Sequence, residues 1–151
     1  MWNAYYTYED VSALRAELSD APDRADLDQA VSRAAQYDNE AALALLLDAG
    51  ADLRAESLPV ERRQCAIVGQ SLAFVRVAFA HGVTPATCPN GENAIWEAVK
   101  WGKEDDAASA ELVVLLRAAG WSAAATGDEQ TPVQIATAKG WPATAAALTA
   151  P

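Results

Sequence analysis

The sequence contains few residues of the types that build disulfide frameworks, metal sites or catalytic centres. Its 151 residues include two cysteines, one histidine and one methionine. Cys65 and Cys88 have neither a CxxC pattern nor a histidine at ligand spacing, which argues against a zinc or redox motif. We expect two reduced thiols in a cytoplasmic protein. A bridge between them is possible, but no pattern requires it.

Positive charge is also scarce. Eleven Lys and Arg face 21 Asp and Glu, which gives a formal net charge of -10 at pH 7. Such a surface repels phosphate groups, so we expect neither nucleic acid nor an anionic membrane as a partner. It attracts a protein with a basic surface and accelerates the encounter. Solubility alone is the simpler explanation of the same charge.

Long apolar stretches and catalytic motifs are absent as well. No run approaches the roughly 18 residues that span a bilayer, and residues 1–10 lack the segments of a signal peptide. No GxSxG, HExxH or P-loop pattern occurs. His81 precedes Gly82 at a predicted helix end, where its charge favours the helix dipole, and no nucleophile accompanies it. We therefore expect a non-enzymatic protein without a cofactor or metal.

The chain is instead rich in alanine and leucine, arranged in runs that end at glycine. Segments 43–50, 75–82 and 113–120 are apolar helical runs that end at Gly50, Gly82 and Gly120. These glycines are 32 and 38 residues apart, and self-similarity at such a period is typical of stacked helical repeats. The composition favours helix over strand. We predict an all-α fold in which each of these glycines adopts the left-handed conformation.

Residues 29–53 align without a gap on the repeat pattern TPLHxAAxxGHxxVVxLLLxxGADV. Ala34 and Ala35 match its paired alanines and residues 50–52 match its GAD ending, while Asp38 replaces its inter-helix glycine. On these residues the chain resembles the ankyrin repeat family. The resemblance implies a solenoid of stacked helix-turn-helix units that binds partners on its inner helices and on the turns between repeats.

The later repeats match other parts of the pattern. Thr131 and Pro132 begin a TPLH-like segment, in which a hydroxyl caps the helix and proline occupies the first turn, where no N–H is needed. The third repeat reaches its inter-helix glycine at Gly102, and its remainder exceeds the pattern by about six residues. We place this insertion at 103–108. Its acidic residues form a predicted solvated loop or, alternatively, a divalent cation site; they are Glu104, Asp105 and Asp106.

The resemblance covers residues 27–150 of a single predicted domain, 1–151. We divide this domain into an N-terminal cap at 1–26, repeats at 27–56, 57–88 and 89–125, and a C-terminal repeat at 126–151. Within the cap, the spacing of Val11, Leu14 and Leu18 predicts a helix over 8–19, followed by a turn at 20–26. The second repeat diverges most from the pattern.

The resemblance also indicates where a partner would bind. Positions just before the inter-helix glycine and positions in the turns contact partners in this family. Here these candidate positions are Tyr37, Arg54, Glu56, Asn90, Glu92, Lys100, Trp101, Asp128, Glu129, Gln130 and Lys139. An exposed aromatic residue at such a position is a candidate binding anchor. Alternatively, Trp101 packs over the insertion and Tyr37 on the second repeat. Trp96 and Trp141 are predicted to be structural, and Trp121 fits either role.

These observations predict a protein-binding module with a basic protein partner. Small acidic repeat proteins that stand alone include bacterial immunity proteins, which occlude the active site of a toxin, and this chain fits that class in size and charge. A homo-oligomeric assembly protein is the alternative, since the chain has acidic ends, whereas residues 54–81 carry four arginines against two glutamates.

Overall fold

The computed structural model describes residues 11–52, 71–86, 88, 93–102 and 104–151. These residues form eight helices and no strand, which confirms the all-α prediction for this part of the chain. None of these helices is both long and apolar enough to cross a membrane. The helices are α1 (Ser12–Ser19), α2 (Arg24–Gln36), α3 (Glu40–Asp48), α4 (Leu72–Ala80), α5 (Ala94–Trp101), α6 (Asp106–Ala118), α7 (Pro132–Ala138) and α8 (Pro142–Thr149).

Successive helices pair into hairpins, and the hairpins stack. α2 packs on α3, α5 on α6 and α7 on α8, with turns of three or four residues between the partners. α3 packs on α4, α4 on α6 and α6 on α8, while α1 contacts α3. We call α1, α3, α4, α6 and α8 the long row, and α5 and α7, which pack on each other, the short row. Contacts between successive neighbours are characteristic of stacked helical repeats.

A continuous apolar core joins the helices of both rows. Large side chains that are fully buried come from each of α1 to α6, and include Leu14, Val31, Leu43, Phe74, Ile95 and Leu116. Burial of each such side chain contributes roughly 1.5–3 kcal/mol. Alanines at 30, 34 and 98 are also buried, and their small size allows neighbouring helices to approach closely.

The predicted helix ends are confirmed where local chemistry determines them. Gly50, Gly82 and Gly120 have φ values of +90°, +85° and +107°. After the first of them, the N–H of Ala51 donates to the carbonyl of Leu46 at 2.9 Å, which satisfies a terminal carbonyl of α3. Thr131 likewise begins α7 in a complete capping box with Gln134.

Two predicted boundaries differ from the structure. α1 begins at Ser12, and residues 8–10 of the predicted helix lie outside the described residues. α2 begins at Arg24, inside the stretch 20–26 for which a turn was predicted. The reason is that the carboxylate of Asp23 accepts the N–H of Asp26 at 2.9 Å and caps α2 at that point.

The prediction of a solvated acidic loop at 103–108 is wrong in part, because residues 106–108 begin α6, whereas Glu104 and Asp105 lie between the helices. α6 has 13 residues, whereas α3 and α4 have 9 each, so part of the insertion adds about one turn to α6. The three acidic residues lie at the N-termini of helices. Asp105 caps α6 by accepting the N–H of Ala108 at 2.9 Å, and Glu104 accepts the N–H of Leu72 in α4 at 2.7 Å.

Asp106 caps a helix of the next hairpin. Its Oδ1 accepts the N–H of Thr144 at 2.8 Å and the hydroxyl of Thr144 at 2.9 Å, and its Oδ2 accepts the N–H of Ala143 at 3.0 Å. α8 has no capping side chain of its own, since its N-cap residue is Trp141. Asp106 therefore supplies the acceptor and the negative charge that the N-terminus of α8 requires. Among the described residues, no group of three side chains is placed to bind a metal ion.

Removal of the Asp106 charge is expected to destabilise the protein in a pH-dependent manner. Partial desolvation opposes ionisation, but the hydrogen bonds from Thr144 and Ala143 outweigh it and hold the pKa of Asp106 below its ordinary 3.8. A depressed pKa stabilises the fold above pH 3.8, and this contribution disappears as pH falls through the folded value. Asp106→Asn should therefore melt at a lower temperature than the wild type at pH 7, and the difference should narrow at pH 3.

Thermal unfolding followed by circular dichroism measures this difference. The matched control is Asp20→Asn, which removes the same charge at an exposed position at the end of α1. A melting-temperature difference for Asp106→Asn that is the same at both pH values would show that the carboxylate charge does not stabilise α8.

The expectation of two reduced thiols is also wrong, because Cys88 is disulfide-bonded. Cys65, the other cysteine of the chain, lies outside the described residues. The spacing of cysteines along a sequence does not show whether folding brings two thiols within bonding distance. Disulfides persist in oxidising compartments and are rare in the reducing cytoplasm, so the cysteines no longer support a cytoplasmic location.

Candidate functional site

Helix α5 is largely buried and exposes one face. Ala94, Ile95, Trp96, Ala98 and Val99 are buried, whereas Glu97 and Lys100 are partly exposed and Trp101 is exposed. We call these last three residues the α5 surface. Trp101 is 62% exposed, more than the other two exposed large apolar residues that the structure describes.

Trp101 is exposed but held by its neighbours. Its ring lies edge-on to that of Trp96, with centroids 6.5 Å apart and an interplanar angle of 82°. The Nζ of Lys100 lies 5.2 Å from the Trp101 centroid and 4.6 Å from the Trp96 centroid. Both arrangements are favourable, because an edge-on aromatic pair and a cation near a ring each contribute about 0.5–1 kcal/mol or more. The alternative that Trp101 packs over the insertion has no contact in support of it among the described residues.

Trp96, the ring against which Trp101 packs, is itself held in place. It is only 5% exposed, and its indole N–H donates to the carbonyl of Gln130 at 3.1 Å. Gly127 lies against the ring so closely that a Cβ there would be 2.4 Å from it. The turn that precedes α7 is thereby held against α5, as a structural role for Trp96 predicts.

Lys100 joins α5 to the same turn. Its ammonium donates to Oδ2 of Asp128, and Oδ1 of Asp128 accepts the N–H of Gln130 at 2.7 Å. The hydrogen bond from Lys100, followed by that from Gln130, lowers the pKa of Asp128. Asp128, Gln130 and Lys100, three of the predicted binding residues, are therefore brought together, with their polar groups largely engaged with one another.

Lys139 is engaged in the same way. Its Nζ donates to the carbonyls of Val99 at 2.6 Å and Lys100 at 3.0 Å, at the end of α5. It also lies 4.3 Å from the ring centroid of Trp141. Desolvation of the ammonium lowers the pKa of Lys139. This contact stabilises the C-terminal carbonyls of α5, so Lys139 supports the position of the α5 surface.

The other predicted binding residues are placed as follows. Tyr37 ends α2 at the position that corresponds to Trp101 and is 45% exposed. Glu129 is exposed in the turn before α7. Arg54, Glu56, Asn90 and Glu92 lie outside the described residues. Trp121, for which the sequence left two roles open, is 5% exposed and stacks on Phe79 at 5.8 Å, which is a structural role.

Glu97 is a member of the α5 surface that the sequence analysis missed. Among the described residues, no donor forms a hydrogen bond or ion pair with its carboxylate. Desolvation raises the pKa of Glu97, and the nearby charge of Lys100 only partly opposes this. The available signal was its spacing four residues before Trp101, which places two side chains on the same helix face.

The single histidine has a structural environment. His81 ends α4, and its Nδ1 lies 2.9 Å from the carbonyl of Val77 while its Nε2 lies 3.3 Å from Asp48 of α3. The hydrogen bond to Val77, supported by Asp48, raises the pKa of His81. Both ring nitrogens are thus engaged in contacts that fix the end of α4 against α3.

Comparison of the chain with models of protein families, with curated proteins and with solved structures finds no match.

Proposed function

We propose that this chain is a non-enzymatic ankyrin-repeat module that binds another protein through the α5 surface. The observation that carries the proposal is the 62% exposure of Trp101 beside a buried, hydrogen-bonded Trp96. A large aromatic side chain that is held in place but accessible loses little conformational entropy when a partner covers it. Such residues are over-represented among the anchors of protein interfaces.

The assignment to the ankyrin class is supported by features that lie far apart in the chain. Four of the described helices, α3, α4, α6 and α7, end at left-handed glycines. α7 begins with the threonine, proline and capping box of the family pattern, and the helices stack with their successive neighbours. Each of the four repeats proposed from the sequence contains at least one of these features. Solenoids of this kind use an extended surface to bind macromolecules.

The charge of the chain supports a basic protein as the partner. The formal net charge is -10. On the α5 surface the charge of Lys100 is balanced by Asp128, whereas Glu97 has no ion pair with any residue that the structure describes. A partner with a positive patch would be steered to this surface. We propose, as the sharper form of the same function, that the chain is an immunity protein that covers the active site of a basic toxin.

Capture of a partner at two salt concentrations tests the proposal. At low salt, the immobilised wild-type protein should retain a protein of basic isoelectric point from the lysate of its source organism. High salt should release this protein, because screening weakens the electrostatic attraction. Light scattering on the purified pair should give the mass of a one-to-one complex. A chain that captures nothing, and instead forms a salt-insensitive homodimer, would favour the assembly protein over the binding module.

A further inference from the structure

The α5 surface carries an acid and an aromatic ring on the same side of one helix. Glu97 and Trp101 are four residues apart in α5, a spacing at which side chains are neighbours on the helix surface. Trp101 presents most of its indole to solvent. Glu97 is partly buried beside it. A group that bound both would therefore need a flat face for the indole and hydrogen-bond donors for the carboxylate.

Within the part of the chain that the structure describes, no side chain forms an ion pair with Glu97. Among the described residues, Lys100 is the cation whose charge acts on Glu97, but it donates its hydrogen bond to Asp128 and lies against the rings of Trp96 and Trp101. Desolvation already raises the pKa of Glu97. A carboxylate in this condition gains more from an incoming cation than a fully solvated one does, because part of its hydration has been lost in the free protein.

We infer that the partner group recognised here is an arginine side chain, whose guanidinium stacks on Trp101 and donates hydrogen bonds to the carboxylate of Glu97. This inference rests on the proposed function and names the chemistry of its partner. A guanidinium is planar, stays charged and offers donors in a fixed fork that fits a carboxylate, and it stacks well on aromatic faces. The ammonium of lysine has no flat face to stack on the indole and a more tightly held hydration shell.

The test uses two small probes, N-acetyl-arginine amide and N-acetyl-lysine amide, titrated into the full-length ¹⁵N-labelled protein. We expect the arginine probe to shift the indole N–H signal of Trp101, which the spectrum of Trp101→Phe identifies, at lower concentration than the lysine probe. Glu97→Gln should weaken binding of the arginine probe about tenfold, since hydrogen bonds to a charged group are lost. Glu40→Gln, which removes the same charge from the exposed first turn of α3, should leave it unchanged.

Equal shifts from the two probes would overturn the inference, as would an unchanged affinity of Glu97→Gln for arginine. The unperturbed amide signals of α6 and α8 in Glu97→Gln establish that the variant is folded. The proposed function is judged separately, by capture of the native partner. If the partner is captured but the arginine probe does not bind at Trp101, the protein-binding function is supported and the recognition of arginine is refuted.

Discussion

Replacement of Trp101 by alanine is expected to weaken binding of the captured partner by ~2 kcal/mol or more, a loss of roughly thirtyfold. The indole is accessible over 62% of its surface in the free protein, and burial of that surface in a complex would be lost with the ring. The stability of the free protein should change by no more than about 2.5 kcal/mol, because the substitution removes the edge-on pair with Trp96 and the contact with the Lys100 ammonium. Isothermal calorimetry measures the first quantity, and urea unfolding the second.

The control for this prediction is an exposed apolar residue on the other row. Val114 of α6 is 56% exposed, and Val114→Ala should alter neither binding nor stability by more than about 0.5 kcal/mol. A dissociation constant that is the same for Trp101→Ala and the wild type would remove Trp101 from the interface. If Val114→Ala were the variant that lost binding, the partner would lie on the long row instead.

Features that depend on a few adjacent residues were predictable from the sequence. A glycine directly after an apolar helical run often adopts the left-handed conformation that ends the helix, and Gly50, Gly82 and Gly120 all adopt it. The capping box at Thr131 is equally local, since donor and acceptor lie three residues apart. The all-α class follows from the same short-range preferences. These predictions required no knowledge of which repeats touch.

Features that depend on contacts between distant segments were not predictable in the same way. Asp106 is 38 residues from Thr144, whose N–H it accepts, so nothing near it in the sequence distinguishes it from a solvated acid. The disulfide bond of Cys88 likewise depends on a contact between segments that are distant in the sequence. Glu97 was missed for a related reason, because its role depends on Lys100 donating its hydrogen bond to Asp128, which lies 28 residues away in the sequence.

The stacking of the helices also depends on buried apolar residues, and Phe74 is the one whose replacement we expect to cost most. It is a fully buried residue of α4, the helix that packs on α3 on one side and on α6 on the other. The hairpin of α2 and α3 is therefore joined to the hairpin of α5 and α6 through this helix, which belongs to the repeat that diverges most from the sequence pattern. In a solenoid, stability is approximately the sum of the terms within repeats and between neighbours.

Phe74→Ala is accordingly expected to lower the free energy of unfolding by about 3–5 kcal/mol, the usual cost of deleting a buried ring and leaving a cavity. That cost is a large share of the roughly 5–15 kcal/mol available to a typical domain. Phe74→Leu, which retains most of the volume, should cost less than about 1.5 kcal/mol. Guanidinium unfolding followed by circular dichroism measures both variants. If Phe74→Ala cost no more than Phe74→Leu, the ring would not be holding α4 between α3 and α6, and the stack would be joined by other contacts.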